Sequence, residues 1–322
     1  MKPLAAVLSN PLSERNKRGM ADVESCLRRR PEAIHVVFEP GMDLTAVLAD
    51  LDTRGVRLIV LNSGDGLVHG LLGALFQSRA YGVPPPIAIL PRGMTNMTAA
   101  DVGLGGRHVR RLARVLDLAR RGEIERHLVR RRVLKVAYDP GRPAERGMFL
   151  GAAGIYDAIQ LTTGRMHGSG LKGAWANAAT LLTVLGRAVS RGVESLGLGG
   201  EPVGIALDDG PVTTSPRALV LATTLDRLVL GSRPFWNTGD RPIHFTSFEH
   251  PPQGLVRHAR TILYGGKERR LPDPPYRSRG ADRIELHLDR PFTIDGEFFQ
   301  AAPGVPVVIT AEEEVRFVKL RA

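Results

Sequence analysis

The sequence predicts an α/β domain with a parallel sheet, followed by a β-rich and mainly antiparallel domain. Over the first third of the chain, short apolar runs alternate with helical patterns, which is typical of a parallel sheet covered by helices. After about Val129, the chain changes to short alternating segments with many turns, which favours antiparallel strands. The length of 322 residues favours about two domains.

The elements of the first domain follow in a regular order. The predicted strands are LAAVLSN, IHVVFE, VRLIVLN and PPIAILP, and the predicted helices are DVESCLRRR, DLTAVLADLDTRG and VHGLLGALFQS. In the second of these helices, Leu44, Leu48 and Leu51 recur at helical spacing, and Gly55 marks its end. Such an alternation places ligands at the carboxyl ends of the strands.

The second domain is predicted from its spacing of short segments. Its predicted strands are VLKVAYD, RALVLATTL, IHFTSF, ARTILYGG, RIELHLD, FTIDGEFF, VPVVIT and EVRFVKL, and KGAWANAATLLTVLGRAVSRG is a predicted helix. The stretch GGKERRLPDPPYRSRG is rich in Pro, Arg and Gly and predicts an exposed loop. We therefore divide the chain into 1–128 and 129–322, with the last strand free to return to the first domain.

Composition narrows the class of protein. The 44 Lys and Arg against 33 Asp and Glu give a net charge of +11, which favours anionic partners. The single cysteine, Cys26, allows no internal disulfide. The N-terminus lacks a signal-peptide pattern, and no run of about 18 apolar residues predicts a membrane-spanning helix. We expect a cytoplasmic protein, peripheral at the inner membrane face.

A Gly-Asp-Gly sequence at 64–66 lies between a predicted strand and a predicted helix. Small residues at this place let a phosphate approach backbone N–H groups and the positive end of the helix. Gly-Asp-Gly alone is also an ordinary turn. The chain has neither a Gly-x-x-x-x-Gly-Lys-Ser/Thr loop nor a Gly-x-Gly-x-x-Gly fingerprint, so the surrounding motifs must decide.

Those motifs are SNPLSERNKRG, LPRGMTNMTAADVG, FLGAAGIYDAI and FTIDGEFFQAAPGVPVVIT, in this order along the chain. Together with NSGDG they resemble the diacylglycerol kinase catalytic domain family, which includes sphingosine and ceramide kinases and bacterial relatives. The resemblance implies an α/β domain similar to that of NAD kinases, a β-rich second domain, and an active site in the cleft between them. It implies a lipid kinase that uses ATP and Mg²⁺.

The resemblance also implies individual site residues. The expected cofactor-binding residues are Asn10, Gly64, Asp65, Gly66, Gly93, Thr95, Asn96 and Glu297. Asp65 is expected to organise Mg²⁺ and phosphate, partly through water. Asp295 matches the family's general base, which accepts the proton of the lipid hydroxyl. The alternative for Asp295 is a plain turn aspartate before Gly296, because Asp-Gly between apolar residues is a strong hairpin signal.

Two departures from the family pattern leave other functions open. Leu67 and Met94 stand where the family usually has Thr, although Thr95 offers a hydroxyl beside Met94. A ligand-binding pseudokinase is therefore one alternative. An NAD kinase is a weaker one, because GMTNMTAADVG replaces the second motif expected of that family.

Within the Arg-rich segment 107–132, Val109, Leu112, Leu116 and Ala119 recur at helical spacing, which predicts a helix with one apolar face. Its arginines suit either a solvated helix over the sheet or the surface of an anionic membrane. An aromatic content of 5% and the absence of a recognition motif argue against nucleic-acid binding. The expected partners are a membrane lipid substrate and an anionic membrane surface; the lipid acceptor and the oligomeric state stay open.

Overall fold

The structure, a computed structural model, describes residues 4–39, 41–78, 81–93, 95–106, 109–155 and 200–320. The chain divides into two compact units. The first consists of Met1–Arg131 and Glu314–Ala322, and the second of Arg132–Glu313. The predicted helix at 172–192, Met94, Asp157 and Trp175 lie outside the described residues.

The first unit contains a mostly parallel sheet, as the alternation of the sequence predicts. Its strands are β1 (Ala5–Ser9), β2 (Ala33–Val37), β3 (Ile59–Ser63), β4 (Ile87–Pro91), β5 (Leu128–Arg132) and β17 (Glu314–Val318). Their order is β2-β1-β3-β4-β17-β5. Strand β1 pairs in parallel with β2 and β3, and β4 pairs in parallel with β3 and β17. The last strand of the chain therefore belongs to the first sheet.

The helices of the first unit connect these strands. They are α1 (Ala21–Arg28), α2 (Leu44–Thr53), α3 (Asp65–Ser78), α4 (Met97–Val102) and α5 (Val109–Arg120), and short 3-10 turns cover Asn16–Arg18 and Ile124–His127. One core packs apolar residues of α1 and α5 against the sheet, with Leu112, Val115 and Leu116 of α5 fully or almost fully buried. The apolar face predicted for the Arg-rich segment is thus a core face.

The second unit is built on an antiparallel sheet. Its strands are β6 (Leu134–Ala137), β7 (Glu145–Gly147), β8 (Phe149–Ala152), β9 (Glu201–Leu207), β10 (Thr213–Thr223), β11 (Ile243–Glu249), β12 (Tyr276–Ala281), β13 (Arg283–His287), β14 (Phe292–Ile294), β15 (Glu297–Phe299) and β16 (Val307–Thr310). Every strand pairing within the described part of this sheet is antiparallel. The order is β15-β14-β8-β10-β9-β13-β16-β6-β7, and β11 joins β10 to β12. The fold class predicted from the sequence is confirmed.

Two local predictions in the second unit are wrong. ARTILYGG is not a strand, because it lies mostly in helix α6 (Leu255–Tyr264), where Leu255, Ala259 and Ile262 are buried at helical spacing. The predicted loop at 265–280 ends in strand β12. In that strand, Tyr276 and Ser278 are buried while Arg277 is exposed, which is the period of two expected of a strand with one face packed. A further 3-10 turn covers Val229–Gly231.

No helix in the described ranges has the length and apolar character that crossing a bilayer requires.

Candidate active site

Asn62 ties together the ends of strands β1, β3 and β4. Its Nδ2 donates to Ser9 Oγ at 2.9 Å, and its Oδ1 accepts from Arg92 Nε at 3.0 Å. The Arg92 guanidinium also donates to Asp22 Oδ2 at 2.8 Å, which anchors it to helix α1. Because Asn62 is fully buried, its bonds to Ser9 and Arg92 form away from water, and they fix the three loops relative to one another.

Asn10 and Asn16 shape the loop after β1. Asn10 Oδ1 accepts from the backbone N–H of Leu12 at 2.9 Å, which closes the Asn-Pro turn. Asn16 Nδ2 donates to the carbonyls of Asn10 at 2.8 Å and Asn62 at 2.9 Å. The sequence analysis missed Asn16, because only contacts with distant residues reveal its role. The buried Asn16 Oδ1 has no hydrogen-bond partner among the described residues.

Gly64 and Gly93 bring the loops after β3 and β4 into close contact. A Cβ atom added at Gly93 would lie 2.6 Å from the Cα of Gly64, which is closer than real Cβ atoms approach backbone. The loop after β4 closes on itself, because Gly93 N donates to Asn96 Oδ1 at 2.8 Å and Asn96 Nδ2 donates to Gly93 O at 2.7 Å. Asn96 has φ 51°, a left-handed conformation that Asn tolerates better than most residues.

We expect Gly93→Ala to separate these two loops, because its methyl group would meet backbone atoms that cannot turn aside. The predicted loss is about 1–3 kcal/mol of unfolding free energy, with weaker ATP binding. Urea unfolding and ATP titration measure the two effects. Gly82→Ala is the control, since a Cβ there meets no atom within 4 Å. Equal stability of the two variants would contradict the close approach.

Asp65 links the Gly-Asp-Gly sequence to helix α4. Helix α3 begins at Asp65 itself, three residues earlier than the leucine pattern predicts. The Asp65 carboxylate is 6% exposed and accepts from the backbone N–H groups of Met97 at 2.9 Å and Thr98 at 3.1 Å. It therefore satisfies two of the N–H groups that a helix leaves without an internal partner at its start.

The described residues contain no group of three or more His, Cys, Asp and Glu side chains that could hold a metal ion. These residues suit Mg²⁺ only if water and the substrate phosphates supply most of its ligands. Such ligation, with one or two carboxylates, is usual for Mg²⁺ in proteins. Both Asp65 oxygens accept backbone N–H groups. A contact from Asp65 to Mg²⁺ through water stays a prediction.

Thr95, whose hydroxyl is expected to contact the nucleotide, lies in the loop after β4. Thr95 Oγ1 is buried and has no hydrogen-bond partner within the described part of the chain. Leu67, which replaces a usual Thr, is 8% exposed. Its apolar side chain is therefore packed inside the first unit.

His35 extends the Asn62 network to strand β2, since its Nε2 lies 2.9 Å from Ser9 Oγ. Burial lowers the pKa of His35 below 6.5, and Glu24 partly opposes this effect.

The lowered pKa of His35 predicts a pH-dependent stability. As the pH falls, His35 in the unfolded chain takes up a proton before His35 in the folded protein does, so stability should fall as the pH falls from about 7 to about 5. Urea unfolding of the wild type and His35→Gln across this range tests it. If His35→Gln leaves the slope of unfolding free energy against pH unchanged, groups other than His35 cause the pH dependence.

Asp295 lies in the second unit, in the two-residue turn between β14 and β15. Asp295 and Gly296 have φ 49° and φ 96°, so the hairpin turn considered as the alternative is present. The turn also directs the carboxylate back to the backbone. Asp295 Oδ1 accepts from Phe149 N at 3.0 Å, and Oδ2 accepts from Met148 N at 3.0 Å. A Cβ at Gly147 would lie 2.7 Å from Oδ2, so glycine leaves the room that the carboxylate needs.

The segment that holds Asp295 is itself fixed by the end of β10. The carbonyl of Met148 accepts from Thr223 Oγ1 at 2.7 Å and from Thr224 N at 3.2 Å. The hydroxyls of Thr224 and Thr293 are buried without a hydrogen-bond partner among the described residues. Nothing in their local sequence pattern points to them, and only the strand order brings them to the elements that carry Asp295.

The structure thus places seven of the predicted residues in the first unit, in the loops after β1 and β4 and at Gly64 and the first turn of α3. These residues are Asn10, Gly64, Asp65, Gly66, Gly93, Thr95 and Asn96. It places Asp295 and Glu297 at one hairpin of the second unit, with Glu297 as the first residue of β15. The roles expected of these residues, and the cleft expected between the domains, stay predictions.

The chain is similar to known proteins in sequence family and in fold. Residues 5–127 match the family model described as the diacylglycerol kinase catalytic domain. No curated protein matches the chain. A solved structure described as a "putative diacylglycerol kinase" from Bacillus anthracis str. Sterne is 16% identical, with a TM-score of 0.66 and coverage of 99% of this chain and 98% of that chain. A diacylglycerol kinase from the same strain is 15% identical, with a TM-score of 0.61 and coverage of 98% and 96%.

At these identities the solved structures establish a shared fold over nearly the whole chain. The family match covers all seven predicted residues of the first unit. Together these findings confirm the resemblance of this chain to the diacylglycerol kinase catalytic domain family.

Proposed function

We propose that the protein is an ATP- and Mg²⁺-dependent lipid kinase that phosphorylates a hydroxyl of a membrane lipid, either a diacylglycerol or a sphingoid base or ceramide. The family match over residues 5–127 carries the proposal, because it spans every predicted nucleotide-binding residue of the first unit. In the second unit, Asp295 also supports the proposal, because backbone N–H groups hold its carboxylate in one orientation.

The first unit would hold the nucleotide by its backbone. The first N–H groups of α3 have no partner inside the helix and form the positive end of its dipole, which suits a phosphate. Gly66 adds no side-chain atoms to this turn, and Thr95 would contribute its hydroxyl, which has no hydrogen-bond partner among the described residues. Bound Mg²⁺ would supply neutralisation of the phosphate charge.

Asp295 would take the proton of the lipid hydroxyl. As the lipid oxygen forms its bond to the γ-phosphorus, the bond from that phosphorus to the bridging oxygen of ATP breaks, and ADP leaves. The O–H proton passes to an Asp295 carboxylate oxygen. The N–H groups of Met148 and Phe149 hold this carboxylate in one orientation, so it needs no rearrangement at the moment of transfer.

The test is phosphorylation by the purified protein with γ-labelled ATP and Mg²⁺. Diacylglycerol, sphingosine, ceramide and phosphatidylglycerol are offered separately in mixed micelles. We expect one acceptor class to become labelled. ATP binding without label in any lipid would favour the second candidate, a pseudokinase, for which the buried Leu67 in place of a Thr is the supporting observation.

We also propose that the protein meets its substrate at an anionic membrane surface. Helix α5 buries its apolar face in the first unit and leaves Arg110, Arg114 and Arg120 exposed. Each arginine near an anionic surface contributes about 1 kcal/mol to attraction.

A further inference from the structure

A cavity of about 240 Å³ in the second unit has three arginines in its lining and no acidic residue. The arginines are Arg217 of β10 and Arg277 and Arg279 of β12. Strand β11 lies between them, and its Ser247 pairs with Arg277 in the antiparallel register. Because Arg277 and Arg279 are two residues apart on one strand, their side chains leave the sheet on the same face.

Two polar atoms in this lining are buried without a hydrogen-bond partner among the described residues. Arg217 is 3% exposed and Ser247 is fully buried. In the ranges that the structure describes, neither Arg217 Nε nor Ser247 Oγ has a hydrogen-bond partner. A buried guanidinium N–H or hydroxyl without a partner is destabilising, so each calls for an explanation such as a bound ion.

The positive charge of the cavity is only partly compensated by the described acidic side chains. Arg217 Nη1 lies 3.6 Å from Glu249 Oε1, a long ion pair, while Arg277 and Arg279 make no ion pair with a described acidic side chain. Burial lowers the pKa of Arg217, Glu249 opposes this, and the nearby charge of Arg277 lowers it further. The positive charges of Arg217 and Arg277 are therefore close to each other. Beside them lie two donors, Arg217 Nε and Ser247 Oγ, that have no acceptor among the described residues.

We propose that this arginine pocket binds a phosphate group. A guanidinium presents several N–H donors in a planar fork that matches phosphate oxygens, and a hydroxyl adds one more donor. The apolar residues Ile205, Leu207 and Phe245 line the same cavity. The pocket therefore suits the phosphate of an amphiphile, such as a phospholipid headgroup, as well as free phosphate.

The pocket is a second site on the sheet that carries Asp295. The Asp295 segment is held at the Thr223 end of β10, whereas Arg217 lies six residues earlier on that strand. At about 3.3 Å per residue, this separation is about 20 Å. Binding at the arginine pocket is therefore measurable without kinase activity.

The experiment observes the pocket directly by NMR of arginine Nε–H groups in the full-length protein. The Arg217 signal is assigned by its loss in Arg217→Lys. Inorganic phosphate and monomeric dihexanoyl phosphatidic acid are titrated separately. We expect a saturable shift of the Arg217 signal, and none for Arg269, whose Nε is also buried without a partner among the described residues.

Matched variants complete the test. Arg277→Gln with Arg279→Gln should weaken binding at the pocket about tenfold or more, since two charge-assisted contacts are lost. Ser247→Ala should weaken it several-fold. Arg257→Gln with Arg260→Gln removes the same charge from exposed positions of α6 and should leave binding within about twofold.

The two probes separate the sources of the phosphate. If phosphatidic acid binds more tightly than inorganic phosphate, the apolar lining contacts an acyl chain and the pocket is a lipid-headgroup site. If the two probes bind equally, the pocket recognises the phosphate alone. No saturable shift at Arg217 with either probe, an equal shift at Arg269, or an equal loss in the α6 control would overturn the proposal.

Discussion

Asp295→Asn should lower turnover by about 10²–10⁴ while ATP binding and the fold persist. Asn keeps the shape of the side chain and tolerates the left-handed conformation at φ 49°. Its amide oxygen still accepts a backbone N–H of Met148 or Phe149, but it no longer takes a proton from a lipid hydroxyl. The expected loss is that of a removed general base.

Labelled-lipid assays and ATP titration on the same preparation measure both effects. Asp209→Asn is the control, because Asp209 is an exposed turn residue of the same unit. A variant that keeps full turnover would exclude Asp295 as the base and leave it a turn residue. A variant that loses ATP binding as well would show that Asp295 acts on the nucleotide.

Asp101→Ala should cost about 3–5 kcal/mol of unfolding free energy, the typical result of removing one partner from a buried ion pair. Asp101 is 1% exposed at the end of α4, where Arg131 donates to its two oxygens at 2.8 Å and 3.2 Å. Lys319 Nζ lies 3.7 Å away. The substitution would leave Arg131, a largely buried cation, without its main acceptor.

Urea unfolding measures this loss, with Asp50→Ala as the control. Asp50 also pairs with an arginine, Arg54, at 3.3 Å, but both side chains are exposed on α2. Pairs of that kind contribute about 0.5 kcal/mol or less. Similar losses in the two variants would show that burial does not set the strength of the Asp101 pair.

The alternation of strands and helices was predictable because it depends on periodicity within short windows. The misassigned segments show where that method ends. The segment ARTILYGG begins at Ala259, four residues after Leu255, the first buried residue of the helix. The helical spacing of buried residues was therefore not visible within this segment. Strand β12 was hidden because arginines and prolines outweighed the alternation that starts at Tyr276.

The site was predictable in its residues and not in its contacts. The motifs placed Asp65 in the loop after β3, but its acceptance of N–H groups from Met97 and Thr98 joins positions more than thirty residues apart. In the same way, the Asp-Gly signal predicted a hairpin at Asp295. The N–H groups that orient its carboxylate come from Met148 and Phe149, which only the strand order brings near.

Strand β17 gives the chain an order of assembly. It lies between β4 and β5 in the first sheet, although it is made after the whole second unit. A nascent chain that has released β1 to β5 therefore has a gap in this sheet, and Asp101 has Arg131 beside it without Lys319. The first unit cannot complete its sheet until synthesis reaches Val318. The second unit is thus inserted in the chain between β5 and β17. These two strands become neighbours in the first sheet only after β17 has been synthesised.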